Sequence, residues 1–403
     1  MASVEFLSPY QTGKVLEGVI AALPKVRPNF LQQAMFSGWI TRNTPTVNFD
    51  KEFAVKNVVA EFVTPRADTT PVQLGNFGTT ELYFAYSKES WGDDDFEVLD
   101  TRQIGEQFNS MPALMSIQAR RLVEKATIAE QRFENLFELC SAHIAMYGAY
   151  AAKGEKHPTM LYNFGRNVIS TYATLSPEEA LVPSCNLTTT AVTAPWDSTV
   201  EILPVIPTSG GFTAGDKAWT KALVTAGKAT PVADLAKMLQ TASRWGGRTT
   251  AVIMQDSPYA AFNFDVNTNF ADNASNTTST IISNALDLGS RLKEVDGLTF
   301  RRYWTADNGV TIPIYTYNAK YNDRDTGTET QYIGDGWVIC VPDTSNFMKI
   351  YGRIKHKAAK YMAMPRFIHR WMDDKTASEE FEEHTSFLLA STRINSLVAW
   401  KVV

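Results

Sequence analysis

Cysteine is nearly absent from this 403-residue chain: Cys140, Cys185 and Cys340 are the only three, and no two form a CxxC pair. An odd, sparse set excludes a disulfide framework and fits reduced thiols. Basic excess is missing as well. The formal net charge is −5, with no long basic tract. That excludes specific gripping of duplex DNA, although nucleic acid can lie beside such a surface without being gripped. No window is long and apolar enough to cross a bilayer, and the opening MASVEFLSPYQTGK lacks the basic-then-apolar pattern of a secretory signal. The sequons at Asn186, Asn273 and Asn276 are therefore read as chance matches. There is no internal repeat.

Catalytic motifs are missing too. GGFTAGDK, residues 210–217, superficially resembles a phosphate loop. However, an Asp stands before Lys217, no Ser or Thr follows it, and no strand-to-helix pattern surrounds it. Asp93, Asp94 and Asp95 lack the spacing of a calcium loop and read as a solvated acidic turn. None of His143, His157, His356, His369 and His384 stands in HExxH or HxxxH spacing. His143 falls near the apolar face of a helix and is expected to be packed there. Glu379, Glu380, Glu382, Glu383 and His384 read as a charged face or turn. No GxSxG and no family-type Cys/His spacing occurs. The chain is not read as an enzyme, and no catalytic, cofactor-binding or metal residue is assigned.

The dominant signal present is helical. From Met111 to Gly154, apolar residues at Leu122, Ala126, Ala129, Phe133, Leu136, Cys140, Ile144, Tyr147 and Ala151 step by three and four. Arg120, Arg121, Glu124, Lys125, Glu130, Gln131, Glu134 and Glu138 are assigned to the opposite, polar face. Pro112 suits the first turn and Gly154 the stop. At ~1.5 Å per residue such a helix is roughly 60 Å long, a spine across which other layers lie.

The remaining segments fall around it. Residues 1–50 read as an arm with little core of its own. Val55–Val63 and Leu82–Tyr86 read as the strands of a long hairpin, whose wide polar tip is residues 64–81. An isolated ribbon is marginal in water, so it must lean on its own domain or on another chain. The acidic run Trp91–Asp100 follows. After the spine, Leu161–Ser176 reads as two strands around Phe164-Gly165. Residues 177–218 are rich in Thr, Pro, Ser and Gly, with a β-prone run at Thr199–Ile206. A mixed α/β pattern then runs to about Gly352. Its helices are Val232–Trp245, a short one after Ser257-Pro258, and Ile281–Glu294; a polar loop covers Asn267–Thr280. Its strands are Thr250–Met254, Leu298–Trp304, Ile312–Ala319 and Trp337–Val341. Strands are also expected at Tyr361–Met364, Phe367–Met372, Thr385–Ala390 and Val398–Val402, closing back on the spine. Arg353, Lys355, Lys357, Lys360, Arg366 and Arg370 form a basic segment beside Tyr351, Tyr361 and Trp371. It reads equally as a phosphate or acidic-surface contact and as a solvated strand face.

The order of these parts resembles the major capsid proteins of tailed bacteriophages with the Hong Kong 97-type fold, and in particular the phage lambda major capsid protein E family. The matching pieces are Phe49-Asp50, Asn163-Phe164-Gly165-Arg166, Trp219 ahead of Pro231, and IMQDSPYAAF at 253–262. YIGDGWV at 332–338, Tyr351-Gly352-Arg353-Ile354, and the ending 379–403 with Pro365 and Trp371 ahead of it complete the set. The 177–218 segment departs from the family, which usually has a short connection there.

The resemblance implies an α+β fold and a shell-forming structural protein. The implied parts are an N-terminal arm (1–50), an extended hairpin loop (51–105), a peripheral domain with the spine helix (106–176), a β-rich insertion (177–229), an axial α/β domain (230–352) and a return to the peripheral domain (353–403). Implied partners are copies of itself in hexamers and pentamers, scaffold and portal proteins, a decoration protein, and packaged DNA held nonspecifically; no membrane is involved. The implied location is the virion, after assembly in the bacterial host cytoplasm. Candidate contact residues are Arg66, Asp68, Leu74, Phe77, Asp93, Asp94, Asp95, Trp196, Arg353, Lys355, Lys357, Arg366 and Arg370. The alternatives are an encapsulin-like nanocompartment and a soluble α/β enzyme.

Overall fold

The structure is a computed structural model that describes residues 30–52, 77–93, 111–154, 157–164, 192–194, 197–202, 218–244, 247–269, 297–305, 309–323, 327–373 and 378–402. In chain order its elements begin with helix α1 (Phe30–Met35) and strands β1 (Trp39–Thr41), β2 (Thr46–Glu52), β3 (Phe77–Tyr83) and β4 (Ala85–Asp93). Then come the long helix α2 (Met111–Tyr147) and strands β5 (Ala149–Gly154), β6 (His157–Asn163), β7 (Val192–Ala194) and β8 (Asp197–Ile202). Helices α3 (Lys221–Thr225) and α4 (Pro231–Arg244) lead to β9 (Thr249–Met254), α5 (Asp256–Asn269), β10 (Leu298–Thr305), β11 (Thr311–Tyr317), β12 (Lys320–Asn322) and β13 (Glu329–Gln331). The chain ends with β14 (Trp337–Pro342), β15 (Phe347–Tyr351), β16 (Phe367–Asp373), β17 (Ser378–Ser391) and β18 (Val398–Lys401).

Two five-stranded sheets lie on α2. In the first, the order is β1-β15-β17-β16, with β4 also paired to β17. The 14-residue β17 is its trunk. Phe137 of α2 meets Phe387 of β17 edge-on at 4.7 Å between ring centroids. The second sheet runs β10-β11-β9-β14-β18. Its strand β14, between β9 and β18, is buried at every residue, and the apolar residues divide by the period of two that a strand imposes. Ile253, Ile339, Val341 and Ala399 join the core that contains α2. Val252, Met254, Val338, Cys340, Val398 and Trp400 join a second core with Leu235 and Met238 of α4 and Phe262 of α5. Each such side chain contributes ~1.5–3 kcal/mol by burial, which is why this near-continuous apolar run is legible as buried strand.

Several expectations need correction. The long helix stops at Tyr147, not Gly154. Gly148 takes φ 69, a left-handed value that a glycine adopts without penalty. Its N–H bonds Ile144 O at 2.8 Å, and its carbonyl accepts from Phe164 N. Residues 149–154 then form β5, which pairs with β6; residues 165–176, where the second strand around Phe164-Gly165 is expected, lie outside the described residues. Glu138, assigned to the polar face, is fully buried.

The N-terminal segment borrows a core: Leu31, Met35 and Phe36 are buried in the α2 core, and β1 runs parallel to β15. The hairpin strands are β2 and β3, with Thr46 opposite Tyr83 and Glu52 opposite Phe77; Val55–Val63 lies outside the described residues. Residues 361–364 form no strand, apart from an isolated bridge between Ala363 and Arg353. The 379–384 run is not a turn but lies within β17, where Glu383 and His384 are buried. The helix after Ser257-Pro258 is a full 14 residues. The expected boundary at 352 is crossed in both directions, since β15 belongs to the first sheet and β18 to the second. Of the 177–229 segment, β7 and β8 form a hairpin. Ile281–Glu294 lies outside the described residues.

Candidate subunit contact surfaces

Buried polar groups fix the frame that presents the surface. Glu138 of α2 accepts hydrogen bonds from the N–H groups of Leu31 (3.0 Å) and Gln32 (2.9 Å) at the start of α1, and from the Tyr317 hydroxyl of β11 at 2.6 Å. One carboxyl group thus ties together the N-terminal helix, the long helix and the second sheet. Loss of water pushes it up to about 7, against the lowering effect of these three donors. In the second core, Asp265 accepts from Val232 N at 3.0 Å, capping α4, and Asp234 accepts from the Trp219 indole N–H at 3.1 Å. The family-like Trp219 is therefore an anchored core residue.

Between α2 and the first sheet lies a second ionic cluster. Arg366 meets Glu130 at 2.9 Å, Glu134 at 2.7 Å and Glu383 at 3.7 Å, and lies over the Phe133 ring. Burial raises Glu383 to about 7; Arg366 opposes that rise, and Glu130, Glu89 and Glu134 add to it. Lys349, 4.7 Å over the Phe137 ring, is pushed down to about 8 by burial. Arg366 is thus engaged inside its own chain.

Immediately beside this cluster, where His384 follows Glu383 on β17, three histidines converge. The His356 ring lies 4.4 Å from that of His369 and 5.3 Å from that of His384. The Tyr86 hydroxyl bonds His384 Nδ1 at 2.7 Å, and His384 Nε2 faces Glu382 at 3.2 Å. Lys88 pairs with the same Glu382. Burial lowers both His369 and His384. Sequence spacing gave no sign of this cluster, because loop, β16 and β17 bring its members together only in three dimensions.

The remaining contact candidates separate cleanly. Arg66, Asp68, Leu74, Asp94, Asp95 and Trp196 lie outside the described residues. Phe77 opens β3 and Asp93 closes β4, in register with Glu379. Arg370 stands on β16 opposite Phe381. Arg353, Lys355 and Lys357 share one exposed loop after β15.

For chemistry there is little to assemble. An open cleft of about 380 Å³ is lined by Lys221, Asp256, Tyr259, Asn263 and Arg301. Its Asp256 already binds Arg301 and Asn318, each at 2.6 Å. Cys140 and Cys340 are buried with raised thiols. Among the described residues, no group of three or more His, Cys, Asp or Glu is arranged to hold a metal.

The mixed α+β architecture is that of the Hong Kong 97-type capsid fold. A protein described as a prophage capsid protein of Escherichia coli CFT073 shares it at a TM-score of 0.56 and 13% identity, over 97% of this chain and 99% of that one. More distantly similar are the capsid of Myoviridae phage XM1 (TM-score 0.39, 10% identity, 93% and 91% covered) and an encapsulin of Synechococcus elongatus PCC 7942 (0.38, 9%, 91% and 85%). No curated protein matches the chain. Residues 211–402, from the end of the insertion through β18, match the family of phage major capsid protein E. Over residues 211–402, family match and fold agree: this part of the chain is similar to phage major capsid protein E.

Proposed function

We propose that this chain is the repeating subunit of a tailed-phage head, closing as hexamers and pentamers into an icosahedral shell around double-stranded DNA. The observation that carries the reading is the family match over residues 211–402 within a chain whose fold is that of a capsid protein throughout. The role is structural, in the virion. The net charge of −5 supports DNA enclosed without tight binding. The first sheet with α2 serves as the peripheral domain and the second sheet with α3–α5 as the axial one. β2 and β3 are the root of the extended hairpin, which lies over a neighbour because a two-stranded ribbon is marginal alone. Residues 177–218 reinforce contacts on the outer surface, where relatives use a decoration protein. Scaffold and portal proteins complete the assembly in the host cytoplasm.

Negative-stain microscopy of the purified chain, expressed with and without its neighbouring head genes, tests the proposal. Closed, uniform shells are expected. A monomer under every condition would overturn it, and shells that copurify with one foreign protein would shift the assignment to a nanocompartment.

A further inference from the structure

Neighbouring residues on a strand face opposite sides of a sheet. His384 therefore lies across β17 from Glu383 and the Arg366 cluster. It shares its face with His369 of β16 and with Tyr86 and Lys88 of β4, as the strand register requires. The loop between Gly352 and Ala363 meets this face. His356, near its middle, brings its ring to 4.4 Å from that of His369 and 5.3 Å from that of His384.

Two of these rings are hydrogen-bonded in ways that need a neutral imidazole. The Ala358 N–H donates to His356 Nδ1 at 3.2 Å, and an imidazolium has no nitrogen left to accept. The Tyr86 hydroxyl accepts from the Lys355 N–H, so its own proton is free for His384 Nδ1 at 2.7 Å. That leaves the ring proton of His384 on Nε2, towards Glu382 at 3.2 Å. Loop, β4 and β17 are thus joined by one hydrogen-bonded chain. Protonation of His356 breaks the first bond, and protonation of His384 breaks the second.

Charge works in the same direction. The groups facing the three rings are Tyr86, Lys88 and Glu382, with Lys355 and Lys357 exposed on either side of His356. Glu382 is already paired with Lys88. Three imidazolium ions would therefore crowd around one carboxylate that is answered. Burial lowers His369 and His384; Lys88 and His356 add to that, and Glu382 opposes it.

The loop itself is strained. At its tip, where Lys360 N–H bonds Lys357 O at 3.0 Å, Lys360 and Tyr361 take φ values of 51° and 55°. Neither is glycine, so each Cβ crowds the following carbonyl oxygen. Such a turn keeps its shape only while its surroundings impose it. The base is closed by Ile354 N–H to Met362 O at 3.0 Å and by Ala363 N–H to Asn43 Oδ1 at 2.8 Å.

We propose that His356, His369 and His384 form an acid-released clasp, which holds the basic 353–362 loop on the first sheet while all three are neutral and frees it as they take up protons. The clasp belongs to the single subunit and works whether or not the chain forms shells.

Hydrogen exchange of the full, unassembled chain, followed by mass spectrometry, tests the clasp. A ring lowered in the clasped state returns to the ordinary 6.5 on release. At pH 5.5 each such ring raises the opening constant by up to about tenfold. Protection of residues 353–363, corrected for intrinsic exchange, should therefore fall at least ~tenfold between about pH 7.5 and pH 5.5. β14 in the second sheet should keep its protection, which also shows that each variant is folded. His369→Phe keeps a ring and removes one titrating charge, so the fall should shrink. Lys88→Met should shrink it too, and Glu382→Gln should enlarge it. Loss of the Lys88–Glu382 pair alone would loosen the loop alike in both variants and at both pH values, and that result overturns the proposal. So does a parent loop equally protected at the two pH values.

Discussion

Substituting Glu138 tests the junction that joins the N-terminal helix to both layers. Its carboxyl group is fully buried and raised from 4.5 to about 7 by loss of water. At ~1.4 kcal/mol per pH unit, that rise corresponds to about 3 kcal/mol. The sign follows from which state holds the proton more tightly. The folded chain does, so the contribution is fully present below pH 4.5 and is lost as pH rises through 7. Glu138→Gln keeps the shape and one acceptor oxygen but cannot ionise. Its unfolding free energy should therefore lack this slope. Relative to the parent it should be near neutral at pH 4.5 and gain up to about 3 kcal/mol by pH 8.

Glu138→Ala should behave differently. It leaves the N–H groups of Leu31 and Gln32 and the Tyr317 hydroxyl without their acceptor, at ~1–3 kcal/mol for each donor that stays dry. It should destabilise at every pH. Urea unfolding of the unassembled chain at half-unit pH steps measures both variants against the parent, which cancels the parallel titration of Glu383. Equal pH slopes for the parent and Glu138→Gln would refute the reasoning, as would a parent that gains stability between pH 4.5 and 7.

Three further outcomes follow from the first sheet. Arg366→Met should cost roughly 3–5 kcal/mol near pH 8, because it strands the buried Glu383 beside Glu130 and Glu134. Chemical denaturation should show a smaller cost at pH 5, where Glu383, already raised to about 7, is protonated. Gly352→Ala should cost about 1–3 kcal/mol, since a Cβ there would stand 2.6 Å from the Phe84 ring at the step between β3 and β4; combining it with Phe84→Ala should recover part of the loss in a double-mutant cycle. His384 should titrate below the ordinary imidazole range. Burial, Lys88 and His356 favour the neutral ring over the pull of Glu382, so its contribution fades as pH falls below about 6.5. An NMR titration placing it at or above that value would contradict the packing seen around Tyr86, His356 and His369.

Local periodicity made much of the frame legible. The apolar stripe of α2 and the apolar runs of β9 and β14 are signals that neighbouring residues carry by themselves. What stayed hidden depended on partners distant in sequence. β15 reads FMKIY, and its central lysine breaks the apolar run; that lysine is buried because the Phe137 ring lies beneath it. The acidic half of β17 reads as a solvated run, yet Glu383 goes inside because Arg366 reaches it. Arg366 and Lys357 look alike in the basic segment. One is enclosed by Glu130 and Glu134, residues of the helix face read as polar, while the other stands free at a strained turn. Sequence displays the sign of a charge but not whether the fold has already answered it. In a chain whose task is to bind copies of itself, the unanswered charges are the ones left for a neighbour, so only the folded subunit separates internal clamp from external contact.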